Sequence, residues 1–192
     1  ASAYSLQKAQ ERLERREKLA KDRFGPWLDA IIQQPKEGFQ PWIKVMPTGL
    51  ESQHGTTLES DVSGKITAKG INPYHEDYRV IWQPTQARIT GVRLKVFKDS
   101  HHGNGRYGRG VIGEFILTNA KLFRRERGRQ LLHEIPLSEA IADFEAKPKA
   151  GERYGKVRDT LDDDPRNGWT THDDPESSFR EAIFVLRDPL TL

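Results

Sequence analysis

Ile89-Thr90-Gly91-Val92-Arg93-Leu94-Lys95-Val96-Phe97 decides the fold class. Val92, Leu94 and Val96 alternate with Gly91, Arg93 and Lys95. A period of two places one row of side chains on the buried face of a sheet and the other toward solvent. Further segments of strand character lie on both sides: Tyr78 to Trp82 before it, and Phe115 to Phe123, Leu131 to Leu137 and Ala182 to Leu186 after it. Thr57 to Glu59 and Lys65 to Ala68 flank Ser63-Gly64 and read as a hairpin. Many short strands punctuated by Gly, Pro, Asn and Asp predict a mainly β chain, an antiparallel β-sandwich of jelly-roll type rather than alternating βαβ units. Residues 138–144 break the pattern: with Ser138 as N-cap they predict one or two helical turns.

The first 35 residues follow a different rule. Leu6, Leu13, Ala20 and Trp27 recur every seventh residue, with Ala9, Phe24 and Ile31 near the same stripe. Glu11 with Arg15, Glu14 with Lys18 and Glu17 with Lys21 are i,i+4 pairs in the favourable order. The expectation is an N-terminal α-helix and linker over residues 1–35, and a β-sandwich domain over 36–192 that is a piece of a longer polypeptide. Leu190-Thr191-Leu192 reads as the start of a strand.

Composition narrows the functional classes. The 192 residues hold 31 basic and 28 acidic side chains, a net charge of only +3. Lys121 to Arg129 is the densest basic run, and it reads as a solvated turn rather than a phosphate-binding face, so no nucleic-acid partner is expected. There is no cysteine, hence no disulfide, thiolate nucleophile or cysteine-ligated zinc. No run approaches the ~20 apolar residues of a spanning helix. No G-x-S-x-G elbow or H-E-x-x-H helix occurs, and His133-Glu134 lacks a second histidine. No catalytic residue is assigned, and the chain reads as a binding or scaffold module rather than an enzyme. A hydrolase would require two convergent carboxylates or a His–carboxylate pair.

Two irregular stretches carry the chemistry. Residues 99–113 are rich in Gly, His and Arg, and residues 145–178 in Lys, Asp and Pro; loops this long are either functional or unstructured. In the first, His101, His102, Arg106, Tyr107 and Arg109 supply hydrogen bonds and a flat face for a ligand, against the plainer reading of exposed loop side chains. Gly103 to Gly108 matches G-x-G-x-x-G literally, but a strand follows instead of a helix, which removes a dinucleotide site. In the second, Asp162, Asp164 and Asn167, together with Asp99, form a candidate oxygen-ligand set for a structural Ca²⁺, against an acidic solvated turn. Trp82 or Trp169 is the candidate stacking platform, against a place in the core for Trp169.

Three stretches taken in order resemble a known family. Ile89 to Val96 ending at Asp99, then Gly108-Arg109 with Gly113-Glu114-Phe115-Ile116-Leu117, then Asp162-Asp163-Asp164-Pro165 with Gly168-Trp169 and Ala182-Ile183-Phe184-Val185-Leu186, are similar to the middle region of large planctomycetal proteins that carry cytochrome c-like domains and domains of unknown function. Trp42 and Asp61 to Gly70 fit the start of that region, so the resemblance covers about residues 40–192; Tyr107, Ile112 and Glu114 depart from it. It implies a galactose-binding-like, carbohydrate-binding-module-like β-sandwich, without haem in this segment, within a secreted or periplasmic polypeptide. Its partners would be a polysaccharide, including acidic or sulfated ones, and neighbouring domains. Arg forks suit such acidic groups. The alternatives are a structural spacer or docking domain and, third, a glycan-active hydrolase.

Overall fold

The computed structural model describes residues 12–14, 16, 26, 42–126, 128–148, 150–172 and 177–191. The helix expected over residues 1–35 therefore lies largely outside the described residues. The chain divides into two units, Ala1–Lys44 and Val45–Leu192, and the second carries all the strands described below.

Its backbone is organised by the last strand. β12 (Phe179–Thr191) runs between β5 (Arg88–Phe97) and β9 (Leu137–Ala142), antiparallel to both. Ala182, Phe184 and Leu186 alternate along β12 and are all buried. The pairing of Ala182 with Leu94 and of Phe184 with Val92 puts the apolar row of β5 on that same face. Val96 of that row packs against the core while Leu94 remains 37% exposed, so the alternation holds in register but its burial is partial. Near its end β12 leaves β5: Val185 pairs with Gly91, but the next partner of Ile89 is Leu190. Pro189, which has no N–H to give to a ladder, lies in this irregularity.

A second three-stranded sheet faces the first. β11 (Gly168–Thr170) lies between β10 (Tyr154–Gly155), to which it is parallel, and β6 (Ile116–Leu117), to which it is antiparallel. Every residue of β11 is buried. Trp169 inserts among Ala140, Val157, Ala182 and Phe184, joining both sheets in one core. Its ring meets Phe115 edge-on at 5.3 Å, and its indole N–H donates to the Phe144 carbonyl at 2.8 Å. Gly168 permits this: a Cβ there would lie 2.3 Å from the Leu117 carbonyl oxygen. A 3-10 turn, Val157–Leu161, packs its buried Val157 and Thr160 beneath.

Three hairpin-like ribbons complete the unit: β1 (Pro47–Ser52) with β4 (Tyr78–Trp82), β2 (Thr57–Ser60) with β3 (Ile66–Lys69), and β7 (Leu122–Arg125) with β8 (Leu132–Ile135). The architecture is mainly β, built of several antiparallel sheets in a sandwich-like arrangement. Among the described residues no helix is long and apolar enough to cross a membrane.

Two expectations are corrected. Residues 138–142 are strand, not helix: Ala140, Ile141 and Ala142 pair with Phe184, Ile183 and Ala182, and ladder bonds to the central strand override the local helical preference of Ser-Glu-Ala-Ile-Ala. The strand expected over Phe115 to Phe123 is two, β6 and β7, which belong to different sheets.

Candidate functional site

The Gly- and His-rich loop uses its side chains to hold the fold together. Asp99 accepts from the His101 amide and from the His101 ring, each at 2.9 Å, and Lys65 stands 3.8 Å away. The amide and ring hydrogen bonds from His101 hold the Asp99 carboxyl at about 2, well below the usual range. Tyr107 is buried and its hydroxyl donates to the Ser177 carbonyl at 2.8 Å. The Arg109 guanidinium donates to the carbonyls of Gly70 and Ile71 at the end of β3, at 2.5 and 3.0 Å. His102 is half-buried, and its Nδ1 has no hydrogen-bond partner among the described residues. Arg106 is exposed. The glycines serve close backbone packing: a Cβ on Gly113 (φ +73°) would lie 2.0 Å from the Gly103 carbonyl oxygen. Of the five residues expected to receive a ligand here, His101, Tyr107 and Arg109 are therefore engaged within the chain.

The acidic turn is likewise occupied. Asp162 accepts from the Asp164 amide at 2.9 Å and from the Asn167 amide group at 2.8 Å. Asp164 is gripped by Arg166 at 2.8 and 3.0 Å and by Arg153 at 3.3 Å, and the Arg166 hydrogen bonds hold its carboxyl at about 2. Asn167 is buried, and its Oδ1 has no partner among the described residues. Asp99 shares none of these contacts. Within this turn two guanidinium groups, those of Arg153 and Arg166, neutralise Asp164. Among the described residues no group of three or more His, Asp or Glu converges to hold a metal.

The two candidate stacking residues separate. Trp169 is fully buried, with no ring face open to a ligand. Trp82 is half-buried at the end of β4. Alternation puts Tyr78, Val80 and Trp82 on one face of the β1–β4 ribbon, and Tyr78 and Val80 are 48% and 36% exposed. Leu50, paired with Val80, lies on the same face. Four residue steps along the strand set Tyr78 and Trp82 about 13 Å apart on the ribbon. Tyr78 was not singled out in the sequence, although its period-two spacing from Trp82 pointed to it.

A polar groove lies on another part of the surface. It has a volume of about 170 Å³ and is lined by Asn119, Lys121, Glu134, Pro136, Asp163 and Arg187 among others. Asp163 has a left-handed backbone, φ 62°, unlike any other non-glycine among the described residues. Lys121 stands 2.7 Å from Asp163 Oδ1, and Asn119 donates to the same oxygen. These hydrogen bonds, Lys121 first, lower the Asp163 carboxyl and raise the Lys121 ammonium. Comparison with protein-family models, curated proteins and solved structures found no match.

Proposed function

We propose that this chain is a non-catalytic carbohydrate-binding-like module, a β-sandwich of jelly-roll, galactose-binding-like type within a larger secreted or periplasmic polypeptide of the planctomycetal cytochrome c-associated kind. The observation that carries the reading is the single face of the β1–β4 ribbon that bears Tyr78, Val80 and Trp82. Flat aromatic rings on an open, twisted ribbon suit the apolar faces of successive sugar rings, and about 13 Å between the two residues along the strand suits an extended chain rather than one ring. The sandwich-like, mainly β architecture supports the same reading.

The non-catalytic part has its own support. No G-x-S-x-G elbow or H-E-x-x-H helix occurs in the sequence, and no catalytic residue is assigned. Nothing in the proposal depends on calcium.

One observation favours a spacer or docking domain as the second reading: Tyr107, Arg109 and Asp99 spend their polar atoms inside the fold. Affinity electrophoresis through gels containing neutral, acidic and sulfated polysaccharides decides between them. Retardation by at least one polymer, lost in Tyr78→Ala/Trp82→Ala, supports the binding module. Unretarded migration in every gel supports the spacer.

A further inference from the structure

We infer that the groove between the β7–β8 ribbon and the Asp163 turn is a second binding site, separate from the β1–β4 face, for a single sugar unit that bears a carboxylate. The choice of a polyhydroxylated ligand rests on the carbohydrate reading above; the carboxylate rests on Arg187 alone.

Arg187 is brought to the groove by the backbone. Its amide donates to the Pro136 carbonyl at 2.9 Å, where β8 passes into β9, so its exposed side chain stands at the wall formed by Glu134, Ile135 and Pro136. No carboxylate pairs with its guanidinium among the described residues. Lys121, by contrast, is committed to Asp163. An incoming carboxylate therefore meets one uncommitted planar fork, the geometry suited to two parallel hydrogen bonds.

The rest of the lining suits hydroxyl groups. Lys121 and Asn119 both bond to Asp163 Oδ1. That leaves Asp163 Oδ2 with no hydrogen-bond partner among the described residues, on a carboxylate anchored through its other oxygen at a left-handed backbone position. The Glu134 carboxylate borders the same space and lies close enough to Lys121 to stabilise its charge. Anchored carboxylates accept from sugar hydroxyls without having to be ordered first. A groove of about 170 Å³, below the 300 Å³ or so at which drug-sized ligands begin to fit, has room for a single sugar ring. The lining has no aromatic side chain, so recognition here is polar.

The test is an amide-resolved NMR titration with glucuronate, glucose and acetate, on the wild-type chain, Arg187→Met and Asp163→Gly. Glycine accepts the left-handed backbone, so Asp163→Gly removes the carboxylate while keeping the turn. Expected is saturable binding of glucuronate that shifts residues around Lys121, Asp163 and Arg187, with glucose about tenfold weaker or more, the effect of one charge-assisted pair. Acetate, lacking hydroxyls, is weaker than glucuronate. Arg187→Met brings glucuronate down to the level of glucose, and Asp163→Gly weakens glucose, which has no carboxylate to gain from the freed Lys121. Glucuronate that shifts no groove residue overturns the inference, and so does glucuronate binding unchanged in Arg187→Met. Acetate that matches glucuronate overturns the sugar assignment, leaving only an anion site. None of these outcomes touches Tyr78 or Trp82, so failure of the groove and failure of the ribbon face are told apart by the gel experiment.

Discussion

Lys121 Nζ lies 2.7 Å from Asp163 Oδ1, tying the connection between β6 and β7 to the one left-handed non-glycine residue among those described. The contact joins two segments that no local pattern links, and it makes the wall of the polar groove. Replacing Lys121 by Met removes the first cause of the low Asp163 carboxyl. The Asp163 side-chain carbon, followed by NMR against pH, then titrates at higher pH than in the wild type. An unshifted titration would show that Asn119 alone holds the carboxylate.

Backbone and side chain separate at Asp163 itself. Asp163→Gly keeps the turn, whereas Asp163→Val forces a β-branched residue to φ 62°. Thermal melting places the valine variant clearly below the glycine variant. Equal melting points would mean that the turn relaxes out of the left-handed region.

Glu76 governs acid stability near the start of the sheet. Its carboxylate accepts from the His54 amide at 2.8 Å and the Thr56 amide at 3.2 Å, and its side chain is 7% exposed. Burial pushes this carboxyl up, but those amides, that of Gln53 and the Thr56 hydroxyl outweigh it and hold it at about 2 instead of 4.5. The folded value is the lower one, so the stabilisation is fully present above pH 4.5 and is lost as pH falls toward 2. Glu76→Gln is less stable near neutrality and loses less over that window, read as urea midpoints. A wild-type-sized decline in the variant would rule Glu76 out as a contributor.

Trp169 marks the centre of the core. Trp169→Ala costs about 3–5 kcal/mol in denaturant unfolding, as expected for a large aromatic truncated in a packed interior. Trp169→Phe costs at least about 1 kcal/mol, because the Phe144 carbonyl loses its donor. A neutral Trp169→Phe would mean that water replaces the indole N–H.

Two glycines distinguish collision from backbone strain. Gly113 and Gly128 both have positive φ, 73° and 80°. A Cβ on Gly113 would meet the Gly103 carbonyl oxygen at 2.0 Å, while one on Gly128 meets nothing within 4 Å. Gly128→Ala costs about 1 kcal/mol for its backbone alone. Gly113→Ala is markedly worse by the same denaturation assay, and equal costs would contradict the packed form of the loop.

Much of the sheet was legible because its signals are local. Val92, Leu94 and Val96 announce their face by alternation, and Ser63-Gly64 sits in the turn between β2 and β3. β9 was not legible: Ser138 to Ala142 favours helix by itself, and only the ladder to Ile183 and Phe184, far along the chain, makes it a strand. The sites followed the same division. Trp82, named for its aromatic face, stands half-buried at the end of β4; Tyr107, Arg109 and Trp169 were named for groups that the fold then used internally. Asp163 was passed over between Asp162 and Asp164 because its partner Asn119 is 44 residues away. Arg187 reaches the groove only through the turn at Pro136.

The central claim, that the β1–β4 ribbon binds an extended glycan, is tested most directly by equilibrium depletion of the purified chain by polysaccharides. The comparison is between wild type, Tyr78→Ala/Trp82→Ala and the groove variant Arg187→Met. The account predicts that at least one polysaccharide depletes the wild type and Arg187→Met, while the double aromatic variant, folded by thermal melting, stays in solution. Depletion of the double variant to the wild-type extent would contradict it, as would a wild type that no polysaccharide depletes.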